Sequence, residues 1–245
     1  MKNIIKIICV IGISLIFCGC MPKPLFPSQL KQPLPKNTRI GVISIYGDEA
    51  TFHGVGFLGP DGWDYKHVLP GLQMDKHLTS GVSYYLKVKG YRSLAINNIN
   101  AESYVPALLL QGFCTVQLSD GEKKLLISFR KKYNVDYLLI IRPDIYAHQI
   151  WAGADNYYTK VHGCGVFSIG RVWLFGAYDI VLLDLKAKKL WRHGGQFDKV
   201  ISKRYQLNSY DKYSKQQIQY IVKNLQIEMA RSVNGTIFNL MYLPE

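Results

Sequence analysis

The sequence predicts an α/β chain, with α+β as the alternative: one mixed β-sheet flanked by helices. Three observations point to it. Runs rich in β-branched residues, such as "RIGVISI" from Arg39 and "VDYLLII" from Val135, alternate with segments of helical period. Two apolar runs flank "DLKAKK", which reads as a β-hairpin near 175–199. Residues 211–240 carry Ile218, Ile221, Val222, Leu225, Met229 and Val233 at helical spacing, a long C-terminal helix with one apolar face.

The elements follow in order. The chain opens "MKNIIKIICVIGISLIFCGC", in which Lys2 and Lys6 accompany an apolar run from Ile7 to Phe17 broken only by Ser14. About ten apolar residues fall short of the roughly 20 that cross a bilayer as a helix. A positive start, a short apolar run and a small residue before a cut describe a secretory leader. Cys18 and Cys20 as a metal pair is the competing reading, but such ligands would lie in a segment with no fold around them. Residues 21–37 hold five prolines in seventeen residues, and proline can neither donate to a helix nor to a sheet. The organisation expected is therefore a leader over 1–19, a Pro-rich tether over 20–37 and a single globular domain over 38–245, with Leu25, Phe26, Leu30 and Leu34, which a pure spacer does not need, docking on a partner or on the domain itself.

In that domain the first strand starts at Arg39. Residues 52–59 read as its hairpin partner, and 59–71, with its glycines and prolines, as a loop. A helix fits 73–88, with Leu78, Val82, Tyr85 and Leu86 on one face. "GYRSLAI" reads as a short strand and 102–112 as a short helix. Residues 120–133 fit a helix opened by Asp120 and closed by Arg and Lys. The strand from Val135 reads as central. Trp191, which ends an apolar strand returning after a polar turn, is expected to be mostly buried. The glycine- and aromatic-rich stretch 156–176 reads as a loop or a second hairpin.

Charge and cysteines bound the function. Lysine and arginine number 30 against 17 acids, for a net charge of +13. Removal of Lys2 and Lys6 with the leader leaves +11, which favours acidic partners such as anionic lipid or envelope polymers. Secretion argues against nucleic acid. Along the sequence the basic residues are scattered. Of five cysteines, Cys20, Cys114 and Cys164 survive cleavage. With Cys20 modified, a Cys114–Cys164 disulfide is one reading and two buried free thiols the other.

"Phe17-Cys18-Gly19-Cys20" resembles the bacterial lipoprotein signal: an apolar residue, two small residues, then the cysteine that receives diacylglycerol. The resemblance implies lipidation at Cys20 and membrane attachment through it. Met21, where aspartate would imply retention in the inner membrane, implies an outer-membrane, periplasm-facing location. An ordinary cleaved leader or an uncleaved anchor is the alternative. The order of elements, carried by "RIGVISI", "YNVDYLLII" and "VLLDLKAKKLW", is similar to that of outer-membrane accessory lipoproteins. These include peptidoglycan-synthase activators and lipoprotein subunits of export channels.

Chemistry is weakly written. His162 and Cys164 in "HGCG" offer a thiol with a nearby base, and His148 with them offers a zinc set. His53, His67, His77 and His193 have no ligand spacing. "GVGFLGPDG" fails the phosphate-loop patterns. Glu49, Asp61, Asp64 and Asp75 are candidates for a glycosidase carboxylate pair. No catalytic residue, metal or cofactor is therefore assigned. The expected function is a non-enzymatic accessory subunit of an envelope complex such as a secretion apparatus. An envelope hydrolase or glycan-binding protein acting on peptidoglycan is the alternative. Leu25, Phe26 and Leu30 in the tether and Trp63 and Tyr65 in the loop are the candidate partner contacts.

Overall fold

The structure is a computed structural model. It describes residues 29–54, 63–69, 71–97, 120–144, 148–152, 157–161, 163–169, 171–187, 189–202 and 213–241. The elements are β1 (Arg39–Ser44), β2 (Glu49–Gly54), β3 (Trp63–Val68), α1 (Met74–Val88), β4 (Arg92–Ala95), α2 (Asp120–Tyr133) and β5 (Tyr137–Pro143). Then come β6 (His148–Ala152), β7 (Tyr157–Val161), β8 (Cys164–Ile169), β9 (Arg171–Asp184), β10 (Lys189–Ser202) and α3 (Lys215–Met241). Eight strands form one mixed sheet, and β6 and β7 form a separate hairpin.

The long strand β9 organises this sheet. One of its edges pairs with β10 from Val172 to Asp184. The other is shared: β8 pairs with residues 171–176 and β5 with residues 178–184, both antiparallel. β5 and β8 therefore lie in line, as one strand interrupted by the segment that contains β6 and β7. β1 pairs parallel with β5 and β2 parallel with β8, so β1 and β2 also lie in line. β4 extends the sheet beyond β1, and β3 extends it beyond β2.

Strand alternation sorts the core to two faces. Val42, Leu139, Ile141, Ile180 and Leu182 meet α1 and α3 on one face. Ile43, Leu138, Ile140, Val181 and Leu183 meet Leu126 and Phe129 of α2 on the other. The central strands are apolar on both faces, which is why they read as unbroken hydrophobic runs.

Local signals place the helix ends. α1 stops in a Schellman turn: Tyr91 N–H bonds Leu86 O at 3.0 Å and Gly90 N–H bonds Lys87 O at 3.0 Å. Gly90 has φ +90°, a conformation without a Cβ penalty in glycine. α3 opens with a reciprocal cap, Gln217 N–H to Ser214 Oγ at 3.2 Å and Ser214 N–H to Gln217 Oε1 at 2.7 Å. The β9–β10 turn is fixed by Asp184, whose Oδ1 accepts from Lys186 N–H at 2.8 Å and Ala187 N–H at 2.7 Å.

Polar groups add direction to the seating of α3. Tyr178 hydroxyl lies 2.6 Å from Ser232 Oγ and 2.8 Å from Thr236 Oγ1. Its ring fits because the facing residue is Gly195, where a Cβ would come within 2.6 Å of it. Glu228, buried at the helix–sheet seam, accepts from Lys199 of β10 and Arg231.

Several expectations are corrected. The described part of the stretch 52–59, residues 52–54, does not form a hairpin with β1: it belongs to β2, which continues β1 and pairs with β3 and β8. Part of the expected loop 59–71 is the edge strand β3. The tether is not free of the domain along its whole length, because Leu30 and Leu34 are buried in the main core and Leu30 N–H bonds Leu240 O at 2.9 Å. Trp191 is mostly buried, as expected, and packs against that core. The hairpin near 175–199 is present and longer, running from β9 through β10. The helix expected over 102–112 lies outside the described residues.

Gly165 is the tightest point of the β2–β8 contact: a Cβ there would stand 1.8 Å from Thr51 O. Gly165→Ala is expected to cost about 3 kcal/mol or more in a denaturant titration, as a backbone must move to admit it. Gly81→Ala, in α1 with open space around its Cβ, should instead stabilise by about 0.5–1 kcal/mol.

Candidate functional site

The two in-line strand pairs break at one level of the sheet, and the break is where the polar side chains gather. Ala177 of the unbroken β9 spans the gap. Its N–H bonds Gly163 O at 2.7 Å, and its carbonyl accepts from Asp144 N–H at 3.3 Å and from the buried Tyr46 hydroxyl at 3.0 Å.

Across the break between β1 and β2, two aspartates exchange hydrogen bonds with α1. Asp75, in its first turn, accepts at Oδ1 from Ser44 Oγ at 2.7 Å and Tyr46 N–H at 2.6 Å. Gly47 N–H reaches both of its oxygens at 3.2 Å. In return Asp48 Oδ1 accepts the first helical N–H, from Met74, at 2.8 Å. α1 thus has a cap supplied from a distant loop; Gln73 before it is left-handed at φ 37° and gives no side-chain cap.

Beside this clamp lies a crevice of about 620 Å³, lined by Ser44, Gly47, Asp48, Gln73, Asp75 and Lys76 among others. It opens at the carboxyl ends of β1 and β4, beside the amino end of α1. Open α/β sheets place ligands outside the carboxyl ends of their strands. Here the crevice's two carboxylates already serve backbone and hydroxyl donors, so its chemistry is that of a braced wall.

The motif "HGCG" ends in the same break. Cys164 is 1 % exposed with Sγ 3.9 Å from Glu49 O, and burial pushes its thiol up to about 12. Burial, reinforced by the nearby Cys164, also holds the Tyr46 hydroxyl well above the usual tyrosine range. A cysteine nucleophile or metal ligand needs the thiolate, which an electropositive, partly exposed site favours. Cys164 has the opposite surroundings. It carries a free thiol, while Cys114 and His162 lie outside the described residues. Among the described residues no cluster of three or more His, Cys, Asp or Glu is placed to hold a metal ion.

On the α2 face of β5, β9 and β10 sits a charge network that the sequence reading did not anticipate. Asp179, 1 % exposed, takes Arg192 through Nε at 3.0 Å and Nη2 at 2.6 Å, and Arg142 Nη2 at 3.3 Å. Asp144 lies 3.9 Å from Arg192. Burial pushes the Asp179 carboxyl up, against the pull of Arg192, and draws Arg142 down, against the pull of Asp179. The available signal was a charge inside each of two apolar runs, "LLIIRPD" and "AYDIVLLD". Such pairs hold strand register more than they add stability.

The remaining site candidates separate. Trp63 and Tyr65 lie on edge strand β3, in register with Gly54 and Phe52. Leu30 is core. Leu25, Phe26 and Cys20 lie outside the described residues, as does Asp61. Asp64 is on β3, and Glu49 is exposed at the start of β2.

No family model matches the chain, and no curated protein matches it in sequence. Among solved structures it is similar to the lipoprotein GNA1162 from Neisseria meningitidis. That likeness has a TM-score of 0.33 and 10 % identity, over 80 % of this chain and 99 % of that one. It is similar also to the PelC dodecamer from Paraburkholderia phytofirmans, at 0.33 and 9 %, over 88 % and 92 %. The LpoB C-terminal domain from Salmonella enterica matches at 0.28 and 11 %, over 67 % and 84 %. The fold is fixed by this chain's own strand register. Among the described residues no helix is long and apolar enough to cross a membrane.

Asp75→Ala removes the acceptor of two backbone N–H groups and a hydroxyl, and should cost about 2–3 kcal/mol in chemical denaturation. Lys76→Ala, next to it and exposed, should be near neutral. Cys164 should resist alkylation in the native protein at mildly alkaline pH and react at once on unfolding. Fast native alkylation, read by mass spectrometry, would contradict the buried-thiol assignment.

Proposed function

We propose that this chain is a non-enzymatic, lipid-anchored lipoprotein of the bacterial outer membrane, facing the periplasm and serving as an accessory subunit of an envelope complex. The observation that carries the reading is the junction between anchor and domain. Cys20 follows a short apolar run and Gly19, and the chain after it docks through Leu30 and Leu34 on the core. A lipid at Cys20 would therefore hold a folded domain by a defined pole. Acyl chains contribute about 0.8 kcal/mol per buried CH₂, and the two or three chains of a bacterial lipoprotein give lasting attachment.

The accessory role is supported by how the candidate reactive groups are used. The Cys164 thiol keeps its proton in the core, and Asp75 is spent on the strand break. In this reading partner contacts fall to Leu25 and Phe26, ahead of the docked segment, and to edge strand β3, which carries Trp63 and Tyr65. An edge strand offers unpaired backbone groups to an incoming strand. A Cys114–Cys164 disulfide is not part of this proposal.

Two variants test it. Cys20→Ala should accumulate as an unprocessed precursor that takes up no labelled fatty acid; persistent labelling would sink the anchor assignment. Phe26→Ala combined with Trp63→Ala should reach the membrane and melt normally, yet lose co-migration with a large complex after gentle extraction. Retained co-migration, together with loss of function in Cys164→Ser, would favour an envelope hydrolase instead.

A further inference from the structure

The positive charge that is scattered in sequence is gathered by the fold. One end of the sheet is a row fixed by register: Arg92 beside Arg39, then Tyr137, Asp184 and Lys189. All three helices finish at this end. α1 ends four residues before Arg92 and α2 four before Tyr137, while α3 ends beside Leu30 through the Leu240 carbonyl. Helix carboxyl ends carry partial negative charge, which favours cations there. The exposed cations supplied are Lys87 from α1 and Lys131 and Lys132 from α2. Lys31 from the docked segment, with Arg92 and Lys189 at the strand ends, adds to them.

The acids of this pole, among the described residues, are turned to internal use. Asp136 binds Arg39 through two N–H groups at 2.8 and 2.9 Å, and that bond holds its carboxyl below the usual range. Asp184 is spent on the turn that follows it. Away from this end, the acids Asp48, Glu49 and Asp75 stand at the break between β1 and β2, beside the amino end of α1. The fold is therefore polar along its strand axis, with a cationic end and a mixed end.

The chain leaves the cationic end toward Cys20. Gln29 follows Cys20 by nine positions, a reach of at most about 30 Å. We propose that this pole is a membrane-docking face that takes the phosphates of anionic lipid headgroups in the leaflet holding Cys20. The proposal rests on the reading of Cys20 as acylated, and adds to it which face of the domain meets the bilayer. The acyl group keeps the domain close, and the lysines then act within the Debye length of roughly 8 Å. Each Lys or Arg near an anionic surface contributes about fivefold to partitioning. The docked state leaves the crevice, at the opposite end of β1, facing away from the bilayer.

The test uses the mature protein purified from membranes and mixed with vesicles of phosphatidylcholine, alone or with phosphatidylglycerol. Trace acetylation of lysines is read by mass spectrometry. Lys31, Lys87 and Lys131 should be protected on phosphatidylglycerol vesicles and lose protection in high salt. Lys76, Lys215 and Lys223, at the far end, should react as they do in solution. Replacing Lys31, Lys87 and Lys131 by Gln should lower docking on the order of a hundredfold and expose Lys132. Replacing Lys76, Lys215 and Lys223 by Gln, with the same net charge, should leave Lys132 protected. Equal effects of the two triples, or protection on phosphatidylcholine alone, would overturn the proposal. Protection by soluble peptidoglycan fragments but not by anionic vesicles would also overturn it. Fatty-acid label at Cys20 is scored on the same preparation. Absence of label with protection intact refutes the anchor and not the pole; label without protection refutes the pole and not the anchor.

Discussion

One edge of β9 has to satisfy two strands at once, and the rest of the molecule is arranged around that constraint. β5 and β8 together occupy the edge, with only Ala177 between their registers. A sheet with a gap in its middle would leave backbone donors and acceptors buried without partners, at about 1–3 kcal/mol for each group. Ala177 prevents part of this by bonding Gly163, Asp144 and Tyr46 across the gap. Asp75 and Asp48 close the rest by joining the neighbouring break to α1. The position of α1 is therefore a consequence of the broken strands as much as of its own apolar face.

The same arrangement explains why the thiol of "HGCG" is buried. Cys164 begins β8 just past the gap, where the chain must turn into the core to reach β9. Its thiol becomes a packing group under Tyr46, and burial raises its pKa to about 12. The buried Arg142–Asp179–Arg192 network occupies the other face at nearly the same level. Polar side chains in the interior thus serve the sheet's one discontinuity from both sides.

Charge follows a different rule. Nothing in the linear order of lysines marks a surface, because Lys31, Lys87, Lys131 and Lys189 are far apart in sequence. In a parallel crossover the helix runs opposite to the strands it joins, so strand starts and helix ends fall together. Each helix that ends in Lys or Arg for its own electrostatic reasons adds to one pole. A face can arise in this way from two local preferences, at the ends of α1 and α2, and one topology.

By itself the sequence determined the elements whose signals are local. The apolar spacing of Leu78, Val82 and Leu86 set α1, and expectation and structure agree on it to a residue. The run from Asp120 to Tyr133 set α2, and "DLKAKK" set the β9–β10 turn through Asp184. Continuous apolar strands around Leu139 and Leu182 announced a sheet covered on both faces. The proposed leader and anchor at Cys20 rest on the same kind of short, contiguous signal. Tertiary structure alone decided the pairings. Nothing local to "EATFHG" says that it continues β1 instead of folding back on it, because the choice depends on β8 arriving from more than a hundred residues away. Nor does "WDYKHV", rich in turn-like neighbours, announce an edge strand until β2 is there to receive it. Leu30 and Leu34 read as tether because proline surrounds them, and became core because α3 and α1 left an apolar surface within reach. Propensity and period act over a few residues, whereas strand order, the clamp at Asp75 and the cationic pole are set by which distant segments meet.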